Sequence, residues 1–228
     1  MDKLHRSRVA VFGLGGVGGN CVEALVRSGV GTLDLIDHDD VSVTNINRQV
    51  FATRETVGML KTDAAKKRIM AIDPDVKVNL YPKFYLPENR EDFPFAQWDY
   101  IVDAIDTVSA KIDIIMAARE LHIPIISAMG CGNRLDPTKL CVMDLFDTKD
   151  DPLAKVMRRE LRKRKVDHLK VVCSKELPIA AKVITDEPLP PGKRSIPGSS
   201  AFVPPAAGIM IASQVVQDLI EEGEKENG

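Results

Sequence analysis

The stretch RVAVFGLGGVG, from Arg8 to Gly18, lies near the start of a chain of 228 residues and decides its fold. The apolar run Val9–Phe12 predicts a buried β-strand, and Asn20–Ser28 predicts a helix. A glycine-rich turn between a strand and a helix is typical of nucleotide-binding α/β folds, because the N–H groups at the start of the helix face an anion. The stretch therefore predicts the first strand–turn–helix unit of such a fold.

The glycines of this turn have separate predicted roles. Gly13 permits the tight turn, Gly15 lets a ligand phosphate approach the backbone, and Gly18 allows close packing of the helix on the strand, with Gly16 between them. Asp37 follows Gly18 by nineteen residues and ends the second predicted strand, where a carboxylate accepts ribose hydroxyls. These residues predict nucleotide binding but do not choose between NAD and ATP.

Strands and helices alternate along the chain, which predicts a doubly wound α/β fold with a mostly parallel, Rossmann-like sheet. The later predicted strands are Thr32–Asp37, Val41–Val43, Val76–Tyr81, Asp99–Ile105, Pro124–Ser127, Leu140–Phe146 and Leu169–Ser174. The later predicted helices are Lys61–Ile72, Lys111–Leu121, Leu153–Lys165 and Ala206–Glu222, with a Pro/Gly-rich loop over Pro178–Ser200. We predict a nucleotide-binding domain over residues 1–134 and a C-terminal α+β extension over 135–228, which carries a basic helix and packs on the same sheet.

Charge and composition exclude some classes of protein. Lysine and arginine number 31 against 33 acidic residues, and the net charge of −2 excludes a globally basic nucleic-acid coat. The uncharged stretch Ser195–Gln217 approaches the length of a membrane span, but Pro197, Pro204 and Pro205 interrupt it. We therefore expect a cytoplasmic protein without a membrane segment.

The four cysteines contain no C-x-x-C pair, so the sequence predicts neither a disulfide framework nor a four-thiolate zinc site. Cys21 and Cys141 are predicted to lie in the core. Cys131 follows a predicted strand end and could approach the site without being catalytic, and Cys173 is not expected to react.

Further polar residues follow the predicted strand ends, namely Asp39, Asn45, Arg48, Gln49, Lys61 and Asp106. A dehydrogenase has no need for an arginine and a lysine just after its ribose acid, whereas an enzyme handling a triphosphate neutralises charge as pyrophosphate departs. Asp106 follows the fourth strand, where a carboxylate can hold Mg²⁺. Singly, Arg48 and Lys61 also fit a solvated surface, and Asp106 also fits a helix N-cap. Their combined spacing favours a phosphate-handling site.

Taken together, Gly13-x-Gly15-Gly16-x-Gly18, Asp37-x-Asp39, Asn45-x-x-Arg48-Gln49, Lys61 and Asp103-x-x-Asp106 resemble the ubiquitin-activating-enzyme-like ThiF/MoeB/HesA superfamily. Members of that superfamily adenylate a carboxylate with Mg-ATP. The resemblance implies phosphate contacts from the four glycines and ribose binding by Asp37. It implies triphosphate contacts from Asn45, Arg48 and Lys61 and magnesium binding by Asp106, so the implied catalytic residues are Arg48, Lys61 and Asp106.

The second half of the chain resembles one branch, the tRNA threonylcarbamoyladenosine dehydratases. The matching segments are Leu135–Thr138, Asp147–Ala154, Cys173–Glu176 and Gly198–Pro204. This resemblance implies ATP-dependent cyclisation of N6-threonylcarbamoyladenosine in tRNA through an acyl-adenylate on the threonine carboxylate. It also implies a homodimer and leaves room for a sulfur-relay partner.

Two other functions stay open at this point. One is an adenylyltransferase that activates the C-terminus of a ubiquitin-like sulfur-carrier protein, although the lack of paired cysteines departs from its zinc-bearing members. The other is an NAD-dependent oxidoreductase or a nucleotide sensor without chemistry. In this superfamily a further arginine commonly comes from an N-terminal helix of the partner subunit, ahead of the first strand. Only Met1–Ser7 precede that strand here, so we expect no such helix, and neither Arg6 nor Arg8 matches the position of that arginine.

Basic residues concentrate between Lys155 and Lys170. The region has eight lysines and arginines against only Glu160 and Asp167, a local charge suited to RNA phosphates. The predicted tRNA contacts are Arg158, Arg159, Arg162 and Lys163. A solvated helix face is the alternative interpretation of such a run.

Overall fold

A computed structural model describes residues 2–179 and 198–227 of the chain. Its centre is a seven-stranded sheet with the strand order β3-β2-β1-β4-β5-β7-β6. The strands are β1 (Arg8–Phe12), β2 (Thr32–Ile36), β3 (Lys77–Tyr81), β4 (Tyr100–Asp103), β5 (Ile125–Ala128), β6 (Leu140–Asp144) and β7 (Lys170–Ser174). Every neighbouring pair is parallel except β6 and β7. The prediction of a doubly wound, mostly parallel sheet is therefore confirmed.

Helices cover both faces of this sheet. They are α1 (Asp2–Arg6), α2 (Gly18–Arg27), α3 (Lys61–Ile72), α4 (Val108–Glu120), α5 (Pro152–Lys163) and α6 (Val203–Asn227). Buried side chains of α2, α3 and α6 share one apolar cluster with β1 and β2. Those of α4 and α5 form clusters on the opposite face. Both faces of β1 and β4 are thereby buried, as their apolar sequences require.

The order of the strands indicates where on the sheet a ligand binds. Strands β2 and β3 lie on one side of β1, and β4, β5, β7 and β6 lie on its other side. β1 therefore lies between β2 and β4, where the order of the strands reverses direction. In open α/β sheets, ligands bind beyond the carboxyl ends of the strands at such a switch point. The turn after β1 and the loops after β2 and β4 all meet at this edge.

The predicted strand Val41–Val43 is wrong. Asp40 makes only an isolated bridge with Leu60, and Val43–Asn45 forms one turn of 3-10 helix. The Asn45 side chain accepts a hydrogen bond from the Ser42 N–H at 3.1 Å, which favours this turn over an extended backbone. The backbone here bonds to the segment before α3, for example from the Val41 N–H to the Met59 carbonyl at 2.8 Å, instead of adding a strand to the sheet.

Two predicted boundaries also move. The strand Leu140–Phe146 ends at Asp144, whose side chain accepts the Phe146 N–H and starts a 3-10 turn. The last helix begins at Val203 instead of Ala206, since Pro204 and Pro205 fit the first helical turn, where no intrahelical N–H is required. Most of the predicted Pro178–Ser200 loop lies outside the described residues.

A five-residue helix, α1, precedes β1, so the expectation that no helix stands there is wrong. Arg8, the first residue of β1, pairs with the buried Asp34 at 2.5 Å. This pair lies at the amino end of the strands, away from the ligand-binding edge. Arg8 is therefore held in a structural ion pair within its own chain.

Helix α6 is long and apolar enough over Val203–Gly223 to cross a membrane by length and composition, with a mean hydropathy of 1.2. Its buried side chains, among them Ile211, Val215 and Leu219, belong to the same apolar cluster as α2. At Gly208 an added Cβ would lie 2.2 Å from the Val17 carbonyl oxygen, so the two helices touch at that point. Packing in the core thus accounts for the buried apolar residues of α6.

Candidate functional site

A cavity of about 250 Å³ opens at the carboxyl ends of β1, β2 and β4. Its walls contain Gly13, Gly15, Asp37, Asp39, Arg48, Gln49, Lys61 and Asp106 together with residues of the β3–β4 connection and of the start of α4. These eight residues were all singled out from the sequence. The structure brings them together although they span more than ninety positions of the chain.

The glycine turn lines the cavity. At two of its positions, neighbouring backbone atoms lie so close that only glycine fits. Gly13 has a φ of +88°, and a Cβ there would lie 2.8 Å from the Ala104 carbonyl oxygen. A Cβ on Gly18 would lie 1.8 Å from the Gly13 carbonyl oxygen. Gly18 therefore serves the packing of α2 on the turn, while Gly13 and Gly15 face the cavity.

Asp37, Asp39 and Lys61 form a connected group at the end of β2. The two oxygens of Asp37 accept hydrogen bonds from the Leu14 and Asp39 N–H groups at 2.7 and 2.9 Å. Lys61 Nζ donates to Asp39 at 2.6 Å and lies 3.8 Å from Asp37. Lys61 is only 7% exposed, so its charge is aimed into the cavity instead of into bulk water. This group ties the glycine turn, the end of β2 and the first turn of α3 together.

Arg48 brings a second cation to the cavity. Its guanidinium donates to the Thr44 carbonyl at 3.1 Å and to the Asn47 side chain at 2.9 Å, and among the described residues it pairs with no carboxylate. Burial lowers the pKa of Arg48, although a guanidinium stays charged throughout the physiological range. A cation without an anionic partner favours the binding of a negatively charged ligand.

Three predicted residues do not line this cavity. Asn45 caps its own 3-10 turn through the Ser42 N–H. At Gly16 an added Cβ would meet Pro204 at 3.0 Å and Arg48 at 3.1 Å, so this glycine lets α6 and Arg48 approach the turn. Gly18 allows α2 to pack closely on the glycine turn.

The two aspartates that follow β4 are placed differently. Asp103 is fully buried and pairs with Lys111, itself fully buried, at 2.9 Å. Asp106 lies in the cavity wall, and Thr107 is the N-cap residue of α4, so Asp106 does not hold the N-cap position that was considered for it. Asp103 is thus part of the framework, and Asp106 is the carboxylate that faces the ligand space.

Sequence reasoning missed the aromatic wall of the cavity. Phe84 and Tyr85 line it, and Phe84 is 41% exposed with its ring edge-to-face against His38 at 4.5 Å. An exposed ring beside Asp37 offers a stacking surface for a base. The segment follows β3, so the rule that ligands bind beyond strand ends could have found it.

The cysteines lie outside the cavity lining. Cys21 is fully buried, as predicted, and burial raises its pKa. Cys131 is 9% exposed, and burial raises the pKa of its thiol to about 11. Cys173 is buried with a pKa raised to about 12. Cys141 is only half-buried because β6 is an edge strand, so its predicted core position is wrong. Thiols held in their neutral form are poor nucleophiles.

The basic residues of α5 are not equally available. Arg158 donates to the Thr148 carbonyl at 2.9 Å and to the Thr148 hydroxyl, so it is a packing residue. Arg159 and Lys163 pair with Glu160 at 3.1 and 2.9 Å, and these bonds hold the pKa of Glu160 at about 2. Arg162 lies over the Phe146 ring at 5.3 Å. Arg159, Arg162 and Lys163 are exposed, so their charges reach solvent.

Helix α5 packs beside α4 on one face of the sheet. A groove between them contains Val108 and Ser109 of α4 and Arg159 and Arg164 of α5. Val108 of this groove directly follows Thr107 of the cavity wall in the sequence.

Comparison with known proteins gives consistent matches. The model of the ThiF family matches residues 1–227. The tRNA threonylcarbamoyladenosine dehydratase of Bacillus subtilis strain 168 is 41% identical over 97% of this chain and 90% of its own length. The crystal structure of the E. coli tRNA N6-threonylcarbamoyladenosine dehydratase TcdA in complex with ATP has a TM-score of 0.88 and 31% identity, covering 98% of this chain and 90% of that one.

A more distant match bears on the alternative function. The adenylyltransferase and sulfurtransferase uba4 of Ogataea parapolymorpha is 39% identical over 56% of this chain and 32% of its own length. This likeness is confined to about half of the chain, whereas the dehydratase likeness extends over nearly all of it.

Proposed function

The chain belongs to the ThiF family, and from that membership we propose that it catalyses the ATP-dependent dehydration of N6-threonylcarbamoyladenosine in tRNA. The proposal rests on one observation: Arg48, Lys61 and Asp106 line the same cavity as the glycine turn. Near full-length likeness to a tRNA threonylcarbamoyladenosine dehydratase supports the choice of substrate.

The residues that line the cavity support ATP as its nucleotide. The glycine turn and the start of α2 offer N–H groups to phosphates. Asp37, which also accepts the Leu14 N–H, lies where the ribose hydroxyls are expected. Phe84 provides an aromatic surface for the adenine, and the two cations Arg48 and Lys61 exceed what a dinucleotide requires.

A magnesium site at Asp106 is compatible with the residues present. The carboxylates of Asp37 and Asp39 lie near each other, but they already bond the Leu14 N–H and Lys61, respectively. Asp106 lines the same cavity, and Mg²⁺ commonly uses one or two carboxylates together with substrate phosphates. When bound, the ion would neutralise charge on the phosphates.

The proposed reaction needs no enzyme nucleophile. The threonine carboxylate attacks the α-phosphorus, the bond to the β-phosphate oxygen breaks, and pyrophosphate leaves. The carbamoyl group of the same modified nucleoside then attacks the acyl carbon and gives up a proton, and the bond from that carbon to the AMP oxygen breaks. AMP leaves, so the ring closes with the net loss of one water. Arg48 and Lys61 stabilise the charge that develops on the phosphates, and the cavity holds the reacting groups together. The raised pKa of Cys131 agrees with the absence of a thiol step.

The exposed face of α5 is the proposed contact for tRNA. Arg159 lines the groove between α4 and α5. Arg159, Arg162 and Lys163 are exposed on α5, within the stretch where the basic residues of the chain concentrate. Arg158, also predicted from the sequence, supports this face through Thr148. We further propose a cytoplasmic homodimer, with a sulfur-relay protein as a candidate partner.

The test is AMP formation with defined substrates. The protein is incubated with Mg-ATP and either threonylcarbamoylated tRNA, the same tRNA without the modification, or a sulfur-carrier protein ending in Gly-Gly. We expect AMP and pyrophosphate only with the modified tRNA. Equal AMP formation with both tRNAs contradicts the proposal, and stimulation by the carrier protein alone supports the sulfur-carrier adenylyltransferase instead.

A further inference from the structure

We propose that Lys111, through Asp103, is the positioning residue that holds the loop Ala104–Thr107 in the shape required for metal-dependent nucleotide binding. This inference rests on the proposed function, because it assigns Lys111 a role in presenting Asp106 to the nucleotide. The sequence predicts only that Lys111 lies on a helix. Neither its side chain nor that of Asp103 lines the cavity.

Lys111 and Asp103 form a pair that water does not reach. Both side chains are 0% exposed, and Lys111 Nζ lies 2.9 Å from Asp103 Oδ2. Asp103 ends β4, and Lys111 lies near the start of α4. The pair therefore closes the connection between the strand and the helix at the point where the chain carries Asp106 past the cavity.

The remaining hydrogen bonds of this pair all hold the same loop or its strand. Lys111 Nζ donates to the Ile105 carbonyl at 3.1 Å, and the Ile105 N–H donates to Asp103 Oδ1 at 3.4 Å. Ser127 Oγ donates to Asp103 Oδ2 at 2.6 Å from the neighbouring strand, in which Ser127 is the register partner of Asp103. The residue directly before Asp106 is thus fixed from both its N–H and its C=O side.

The cost of this arrangement argues for a positioning role. Placing a lysine and an aspartate in the core carries a desolvation penalty, and apolar side chains of the same volume often stabilise a core as well or better. The ion pair instead provides hydrogen bonds of fixed direction. It orients the carbonyl and the N–H of Ile105, in a loop that belongs to no helix or strand. Mg²⁺ tolerates little departure from its coordination geometry, so a small shift of Asp106 has a large effect on its binding.

The test separates the metal from the nucleotide. The affinity of the full-length protein for ATP is measured by calorimetry with and without Mg²⁺, for the native sequence, for Lys111→Met with Asp103→Asn, and for Ser127→Ala. The double substitution removes both charges, which avoids an unpaired buried carboxylate. For it we expect metal-free ATP affinity to stay within about twofold, the tightening caused by Mg²⁺ to disappear, and kcat to fall by about 100-fold, as for a misplaced catalytic group. Ser127→Ala should give a smaller loss of the same kind.

The results decide between positioning and simple structural support. If the double variant unfolds with native cooperativity and still gains affinity with Mg²⁺, Lys111 has no positioning role. A loss of metal-free affinity as large as the loss with Mg²⁺ also overturns the proposal, since it shows general damage to the cavity. If the double variant does not fold, Ser127→Ala decides, and an unchanged effect of Mg²⁺ in it refutes the inference. Failure of the native protein to bind ATP at all counts against the proposed function instead.

Discussion

Asp37 shows how one side chain can serve both the fold and the site. Its carboxylate accepts the Leu14 N–H from the glycine turn, and it lies 3.8 Å from Lys61 Nζ at the start of the next helix. The sequence predicts a ribose acid at this position from its distance to the glycines. The hydrogen bond from the Leu14 N–H shows that the same carboxylate also fixes the shape of the glycine turn. Sequence spacing alone does not reveal this second role.

Lys61 provides the first test at the level of a single residue. Lys61→Ala should reduce AMP formation by about 100-fold or more, because the substitution removes the buried cation that we propose stabilises charge on the phosphates. The fold should persist, since Asp39, the acid that accepts its 2.6 Å hydrogen bond, has a half-exposed side chain. The buried Asp37 keeps its hydrogen bonds from the Leu14 and Asp39 N–H groups. Rates and urea unfolding are compared for Lys61→Ala and for Lys66→Ala, an exposed lysine on the same helix. Equal rates for the two variants would remove Lys61 from the mechanism.

Cys131 provides a test that depends on pH. Its pKa is about 11 in the folded chain because it is buried, whereas an unfolded thiol titrates near 9. Above pH 9 the unfolded state therefore loses protons that the native state keeps, and the free energy of unfolding falls by about 1.4 kcal/mol per pH unit for this thiol.

The measurement for this prediction is urea unfolding between about pH 8 and about pH 10.5, a range that spans the unfolded pKa of the thiol. Cys131→Ala should show a shallower decline in the free energy of unfolding than the native protein, while its rate of AMP formation at the lower end of that range stays native. Identical declines for the two proteins would show that the thiol is not held neutral, and an abolished reaction would give Cys131 a chemical role.

Helix α5 is the element whose function is least determined by the fold. Its amphipathic pattern requires only that Ala154, Met157 and Leu161 be buried. The sequence indicated four RNA contacts on it, and the structure separates them: Arg158 packs on Thr148, while Arg162 and Lys163 are exposed. Periodicity predicts the buried face of a helix, but it does not report which charged side chains already bond a neighbouring loop.

Reversal of charge on α5 tests the nucleic-acid interface. Arg162→Glu with Lys163→Glu should weaken tRNA binding and make the slope of log affinity against log salt shallower by about one for each phosphate that is no longer neutralised. The matched control, Lys66→Glu with Lys67→Glu, makes the same change of charge on exposed residues of α3. Binding curves are recorded over a range of salt concentrations. If the control weakens binding to the same extent, net charge explains the effect and α5 does not bind the tRNA.

At the scale of the whole molecule, patterning predicted most of the architecture. Alternating strands and helices were sufficient for the doubly wound sheet, and the boundaries of α3 matched at both ends, Lys61 and Ile72. The errors lie where tertiary or side-chain hydrogen bonds override local pattern, as in the turn at Ser42–Asn45. The Lys111–Asp103 pair also could not be predicted, because a charged residue in a helical pattern gives no sign that it is buried.

The candidate site was predictable to a similar degree. Residues at the ends of β1, β2 and β4 could be found because parallel strands bring their carboxyl ends to one edge. Phe84 and Tyr85 were missed because the connection after β3 has no motif of its own, and only its place beyond a strand end could have indicated them. The overall charge of −2 likewise gave no indication of the positive surface of α5, because acidic residues elsewhere cancel it.

The most direct test of the central claim is nucleoside mass spectrometry of tRNA after incubation with the protein and Mg-ATP. We predict that threonylcarbamoyladenosine is replaced by a nucleoside lighter by one water, that the change requires ATP, and that unmodified tRNA is unaltered. Protein with Asp106→Ala serves as the control and should leave the modified nucleoside intact. An unchanged threonylcarbamoyladenosine peak with folded native protein and ATP would contradict the account.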